Sequence, residues 1–192
     1  MTIRTLYSDI TIGIYTVDAI QVEVSEGYKQ ASATFNIELE DATDLTVNDA
    51  VEIDIGYTDS HGKIFEGYVD TIQYNRFTNR YTITGRDVLK LAQEHWIVSA
   101  DLENPWSRNN ISAEDLVRDL LLEATISDYS GAVSSFTFGV QNDAEFNLMS
   151  SWDAINMICK ILAYNCWAEN GTVYFDRVFP IPADVASRAN SA

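Results

Sequence analysis

The sequence predicts a mainly β chain of α+β character: an antiparallel β-barrel or sandwich with a short helix, followed by a small α+β domain. Two observations carry this expectation. Apolar residues alternate with period two through most of the first half, the mark of half-buried strands. In the second half the period becomes helical, and serine-led helix starts occur twice. At 192 residues the chain is long enough for one large or two small domains, each burying a core.

The strands can be read in order. Ile10, Ile12 and Ile14 alternate, then Ile20, Val22 and Val24, then Ala33, Phe35, Ile37 and Leu39, then Val51, Ile53, Ile55 and Tyr57. Their opposite faces are polar, with Gln21, Glu23, Asn36, Glu38, Glu52 and Asp54. Turn signals separate them at Glu26-Gly27, from Asp41 to Asp49, and at Asp59-Ser60-His61-Gly62. Residues 64–95 then read as two long strands joined at the polar turn Asn75 to Asn79. In the first of these the alternation slips between Val69 and Ile72, as a β-bulge would cause. The second ends in Gly85-Arg86-Asp87 and a short apolar helix with Val88, Leu89, Leu91 and Ala92. In that step Gly85 permits a sharp exit from the strand, Arg86 can pair with an acid, and Asp87 can cap the helix.

The second half opens with Ile111-Ser112-Ala113-Glu114-Asp115-Leu116, where Ser112 can cap and Asp115 partly fills the capping-box role. Leu116, Val117, Leu120 and Leu121 follow at helical spacing. Phe136, Phe138 and Val140 alternate as a strand, and a second helix opens at Ser150 or Ser151 with Trp152, Ile155, Ile158, Cys159 and Leu162 on one face. A hairpin from Asn165 to Asp176 turns at Asn170-Gly171, the dipeptide a type I′ turn prefers. The expected organisation is a β domain at 1–96, an α+β domain at 97–178, and an extended or disordered tail at 179–192.

Charge and composition narrow the function. The net charge is −17, with 7 Lys/Arg against 16 Asp/Glu in residues 1–100 and 5 against 13 in residues 101–192, so the acid is no solvating tail. No basic patch able to neutralise phosphates is present, which argues against tight nucleic-acid binding. The acidity fits either plain solubility or a surface that must repel passing DNA. No window approaches the ~20 apolar residues of a membrane helix, and the start MTIRTLYSDI lacks a secretory h-region, so no membrane insertion is expected and folding in a cytoplasm is.

Catalytic and metal chemistry find little support. His61 falls in a turn and His95 ends a short helix, where a histidine suits the dipole. No nucleophile elbow, phosphate loop or activated cysteine context occurs. Glu145 and Asp153 cannot be told from surface acids, and the stretch Glu38 to Asp44 lacks calcium-loop spacing. Cys159 and Cys166, without a ligand partner, read as small core residues. No enzyme activity, cofactor or metal is expected.

The phrases EGYVDTIQY, TITGRDVLKLA, NISAEDLVRDLL and WDAINMICKILAYNCWAENGTVYFDR, in this order over residues 5–178, resemble phage tail baseplate hub proteins. The resemblance implies a tube-like barrel followed by an α+β domain, and in that family a second tube-like barrel after it. It implies a structural virion protein of the tail, assembled in the host cytoplasm. Three copies would form a ring, a hexamer being the alternative, that joins the tail tube to the central spike among other baseplate proteins. DNA would pass through without specific binding. The residues facing the lumen would be Gln21, Glu23, Asn36 and Glu38, turned away from the core by the alternation. The long runs Val17 to Leu39 and Ile64 to Gly85 are then expected to pair between subunits. The alternative reading is an acidic soluble binding module or a non-catalytic subunit of an enzyme complex.

Overall fold

The structure, a computed structural model, describes residues 5–26, 32–42, 44–99, 105–132, 134, 136–141 and 143–178. The expected tail at 179–192 and Gly27 of the first turn lie outside them. The chain is mainly β with few helices. β1 (Leu6–Ile12), β2 (Tyr15–Thr16), β3 (Gln21–Ser25), β4 (Thr34–Leu39), β5 (Ala50–Tyr57), β6 (Ser60–Asn75) and β7 (Arg80–Asp87) form one antiparallel sheet ordered β2-β1-β5-β6-β7-β4-β3.

This sheet has to curl. Its border strands β2 and β3 are joined by residues 17–20 alone. In a flat sheet six inter-strand steps would hold them ~29 Å apart. The five peptide steps from Thr16 to Gln21 span at most ~18 Å. The linker bonds to the strand next to each border as it crosses: Val17 N donates to Ile10 O of β1 at 2.9 Å and Ile20 N to Glu38 O of β4 at 2.8 Å. β2 and β3 do not pair, so the expected barrel is a curled sheet that stays open.

Inside the curl lie Ile10, Ile12, Phe35, Ile37, Leu39, Val51, Ile53, Phe65, Val69 and Ile83, with Val17 and Ala19 of the linker packed against them. Ile14, expected among them, is 87% exposed, because the chain turns at Gly13 (φ 62°) before β2. Ile20 precedes β3 and is also exposed. The slip in alternation is a bulge, since the register of β6 against β7 shifts between Val69 and Thr71. β6 pairs with β5 along residues 60–68 and with β7 along 67–75. β7 also pairs with β4, and β4 with β3. The run from Ile64 to Gly85 is therefore paired within the chain rather than left open for a neighbour, and the free borders are β2 and β3.

Beyond the sheet come α1 (Leu89–Glu94), β8 (Trp96–Ile97), β9 (Trp106–Arg108), β10 (Ile111–Ser112), α2 (Ala113–Glu123), β11 (Tyr129–Gly131), β12 (Thr137–Phe138), β13 (Ala144–Phe146), β14 (Met149–Ser150), α3 (Ser151–Leu162), β15 (Tyr164–Glu169) and β16 (Thr172–Arg177). β15 and β16 form the expected hairpin, with Asn170 at φ 51° and Gly171 at φ 88°, as a type I′ turn requires. β11 joins β16 in parallel, which the sequence did not suggest. The strand expected around Phe136, Phe138 and Val140 shrinks to Thr137–Phe138, paired with β10 and ended by Gly139 at φ 73°. A second buried cluster holds Leu116, Val117, Leu120, Leu121, Ile155, Ile158, Val173 and Phe175, and it takes in Val88, Leu89 and Ala92 around α1.

Both long helices start as their sequences propose. Ser112 Oγ accepts from Asp115 N at 3.2 Å, and Ser150 Oγ accepts from Asp153 N at 3.0 Å. Each aspartate then accepts the serine hydroxyl at 2.8 Å, because its side chain is too short to reach back to the cap amide as a glutamate does. Replacing Ser112 or Ser150 with alanine should cost ~1 kcal/mol each, and the two should add because they cap different helices. Urea melts of the single and double variants check this; a double variant no worse than either single would show that the caps are not independent.

Candidate functional site

Gly85, Arg86 and Asp87 form a latch between the bulge of β6, the end of β7 and α1. Gly85 lies inside β7 opposite Val69, not at an exit turn. A Cβ there would sit 2.0 Å from Tyr68 O and 2.6 Å from the Phe35 ring, so glycine is needed for close approach at the bulge. Arg86 grips the bulge residue Asp70 with two parallel bonds, Nε to Oδ2 at 2.7 Å and Nη2 to Oδ1 at 2.8 Å. It also reaches Glu94 at 2.6 Å and Gln93, both on α1. Lys90 completes the knot: its ammonium lies 3.2 Å from Asp70 and donates to Val69 O at 2.7 Å and to Asn48 Oδ1. The Arg86 bonds, helped by Lys90 and opposed by burial, hold the Asp70 carboxyl below its usual range.

Asp87 is 3% exposed. Its carboxylate accepts from Leu89 N at 3.0 Å, from Ala33 N, and from Ser32 Oγ at 3.3 Å. It thus serves the helix start from one residue upstream of the N-cap position, which Val88 holds without a side-chain bond. Burial pushes its carboxyl up to about 6, against the pull of these donors.

The four residues expected to face a lumen share the outward face of β3 and β4. Glu23 stands opposite Asn36 and Gln21 opposite Glu38. The rows continue across β7 and β6, as Glu23–Asn36–Thr84–Thr71 and Gln21–Glu38–Thr82–Gln73. Thr71 and Thr84 share a hydroxyl bond of 2.8 Å. Glu23, Asn36, Thr84 and Arg86 help line an open groove of about 500 Å³. The face is polar more than acidic. Arg80 pairs with Glu38 at 3.1 Å and Arg86 with Asp70, leaving Glu23 as its carboxylate without an ion pair. The two cations of β7 on this face, Arg80 and Arg86, are thus both engaged.

The titratable groups of catalytic type are held elsewhere. His61 bonds Asp54 through Nδ1 at 3.0 Å and stacks on Tyr7, and His95 Nδ1 lies 2.8 Å from Ser151 Oγ. Cys159 and Cys166 are buried; burial pushes the Cys159 thiol to about 12 and that of Cys166 well above its ordinary value. Among the described residues no group of three or more His, Cys, Asp or Glu is placed to hold a metal ion, and no helix is long and apolar enough to cross a membrane.

No family model matches the chain, and no curated protein sequence matches it. Among solved structures its fold is similar to the tail protein from Neisseria meningitidis MC58, at 12% identity and a TM-score of 0.66, over 93% of this chain and 54% of that one. It is also similar to the 43 kDa tail protein of prophage MuSo2 from Shewanella oneidensis, at 13% identity and a TM-score of 0.69, over 95% of this chain and 58% of that one. The chain spans a little over half the length of each. At these identities the likeness is one of fold, and it runs through both the curled sheet and the helices beyond it.

Proposed function

We propose that this chain is a structural, non-enzymatic subunit of a phage-type tail, and within it a baseplate hub or tail-tube adaptor. The observation that carries the reading is the shared fold with two tail proteins across 93% and 95% of the chain, sheet and helical part together. In this reading residues 1–96 form the tube-like unit and 97–178 the α+β unit, with α1 as the joint between them. Three copies make a ring, or six in the alternative, located in the virion tail and assembled in the host cytoplasm. The ring joins the tail tube protein to the central spike and contacts other baseplate proteins.

Gln21, Glu23, Asn36 and Glu38 face the lumen in this assembly, and DNA passes without specific binding. What suits the face to that task is that the cations β7 brings to it, Arg80 and Arg86, are each tied to a carboxylate. A duplex finds there hydroxyls, amides and the unpaired Glu23, which repels it.

The test is charge reversal. Glu23→Lys combined with Glu38→Lys adds six lysines per trimer and releases Arg80. Rings should still appear by negative-stain imaging, while DNA delivery by the particle falls. Rings with undiminished delivery would sink the lumen assignment. A monomer under all conditions would sink the ring and favour an acidic binding module.

A further inference from the structure

The turn between β6 and β7 is built to hold one side chain in water. Asn75 Oδ1 accepts from the amides of Phe77 at 3.0 Å and Thr78 at 3.4 Å. Tyr74 donates its hydroxyl to Asn79 Oδ1 at 2.6 Å and packs on Tyr81 with ring centroids 5.0 Å apart. On this fixed tip Phe77 is 100% exposed. Arg76 beside it is exposed and makes no ion pair, a state shared among the described cations by Lys160. A phenyl ring left wholly in water adds nothing to folding. A rigid aromatic beside an arginine is what an interface anchor needs, because little freedom is lost on docking.

A matching seat lies at the other end of the hairpin. β7 runs from Arg80 at the tip to Asp87 at α1, ~23 Å away. Beyond α1 an open pocket of about 230 Å³ is lined by Trp96, Ile97, Val98, Pro105, Trp106 and Glu123 among others. Trp96 and Val98 are 59% and 62% exposed. Glu123 Oε1 accepts from Trp106 Nε1 at 2.9 Å and lies 4.0 Å from Arg108. Among the described residues nothing donates to its Oε2, so the rim of an aromatic pocket offers a carboxylate oxygen.

The paired β6–β7 ladder holds tip and seat at opposite ends of one molecule, so they meet only between copies. Such a contact is heterologous, and repeated with the right rotation it closes a ring. We propose that the Arg76-Phe77 tip of one copy plugs the Trp96–Trp106 pocket of the next, with Arg76 on Glu123. This rests on the ring reading above and supplies its contact. A second copy is the occupant because the tip brings an unpaired cation and an apolar ring, and the seat has an apolar wall and an unfilled carboxylate oxygen.

Disulfide trapping tests it. Thr78→Cys and Val98→Cys in one chain should give, on mild oxidation, a covalent ladder that ends at the size of the ring. Either substitution alone should give none, since the native thiols are buried. Adding Phe77→Ala should weaken association about thirtyfold or more, without lowering the melting temperature of the monomer. Rings by light scattering without the 78–98 cross-link would overturn the seat and leave the ring reading standing. Monomers throughout would overturn both, and unchanged association in the Phe77→Ala chain would overturn the anchor.

Discussion

Replacing Lys90 with alanine should destabilise the protein by about 2–5 kcal/mol, because it removes a buried side chain and the cation it brings to a partly buried charged knot. Lys90 is 1% exposed although it sits on a six-residue helix. Its ammonium reaches over the bulge to Asp70, Val69 O and Asn48 Oδ1, so one side chain fixes α1, β6 and the approach to β5. Without it, Asn48 loses its buried donor, Asp70 keeps Arg86 alone, and the stem leaves a hole. Lys90→Met separates these losses, since it restores most of the volume and none of the bonds. The methionine variant should fall between wild type and alanine in urea denaturation. A loss below about 1 kcal/mol for alanine would show that the ammonium is no part of the latch.

Lys90 also marks where the sequence stops being legible. The expected helix was read from Val88, Leu89, Leu91 and Ala92, and a lysine between them looks like an ordinary exposed residue. Its burial depends on the bulge, whose displaced Asp70 creates an anionic spot under the helix. The slip between Val69 and Ile72 betrays the bulge itself, because alternation is local. The partners of Asp70 come from 16 and 20 residues further on, and local patterns do not carry them. Gly85 shows the same limit: the residue was noticed, but its reason is Tyr68 O across the ladder. The outward set of Gln21, Glu23, Asn36 and Glu38 could be read from alternation alone. That Arg80 neutralises Glu38 could not, since it follows from β4 lying beside β7. The caps and the Asn170-Gly171 turn were legible because their chemistry closes within four residues. Two-residue strands such as β8 and β14 carry no period at all, and the curl of the sheet shows only once its strand order is known.

The stability of the protein should rise as pH falls from 7.5 to 5 through Asp87, and the rise should vanish in Asp87→Asn. Burial raises this carboxyl from 3.8 to about 6 in the folded chain, whereas the unfolded chain has the ordinary value. Folding therefore takes up a proton between those values, and the group's contribution is fully present below 3.8 and lost as pH climbs through 6. The whole span is worth about 3 kcal/mol, of which roughly 1.4 is reached at pH 5. Asp70 works in the opposite sense, because its lowered carboxyl contributes above its ordinary value and fades in stronger acid. The comparison therefore stops at pH 5, before Asp70 takes over. The carboxyl meets Ala33 N, Leu89 N and Ser32 Oγ, with Glu26 and the buried Cys166 near enough to influence it or be influenced. Of these neighbours Glu26 has its own carboxyl raised, by burial and then by the charge of Glu169. Taking wild type minus Asp87→Asn in urea melts at pH 7.5 and 5 cancels every group the two proteins share. A difference that does not change between the two pH values would show that Asp87 is ionised in the fold at no cost, and that the three donors around it outweigh its burial.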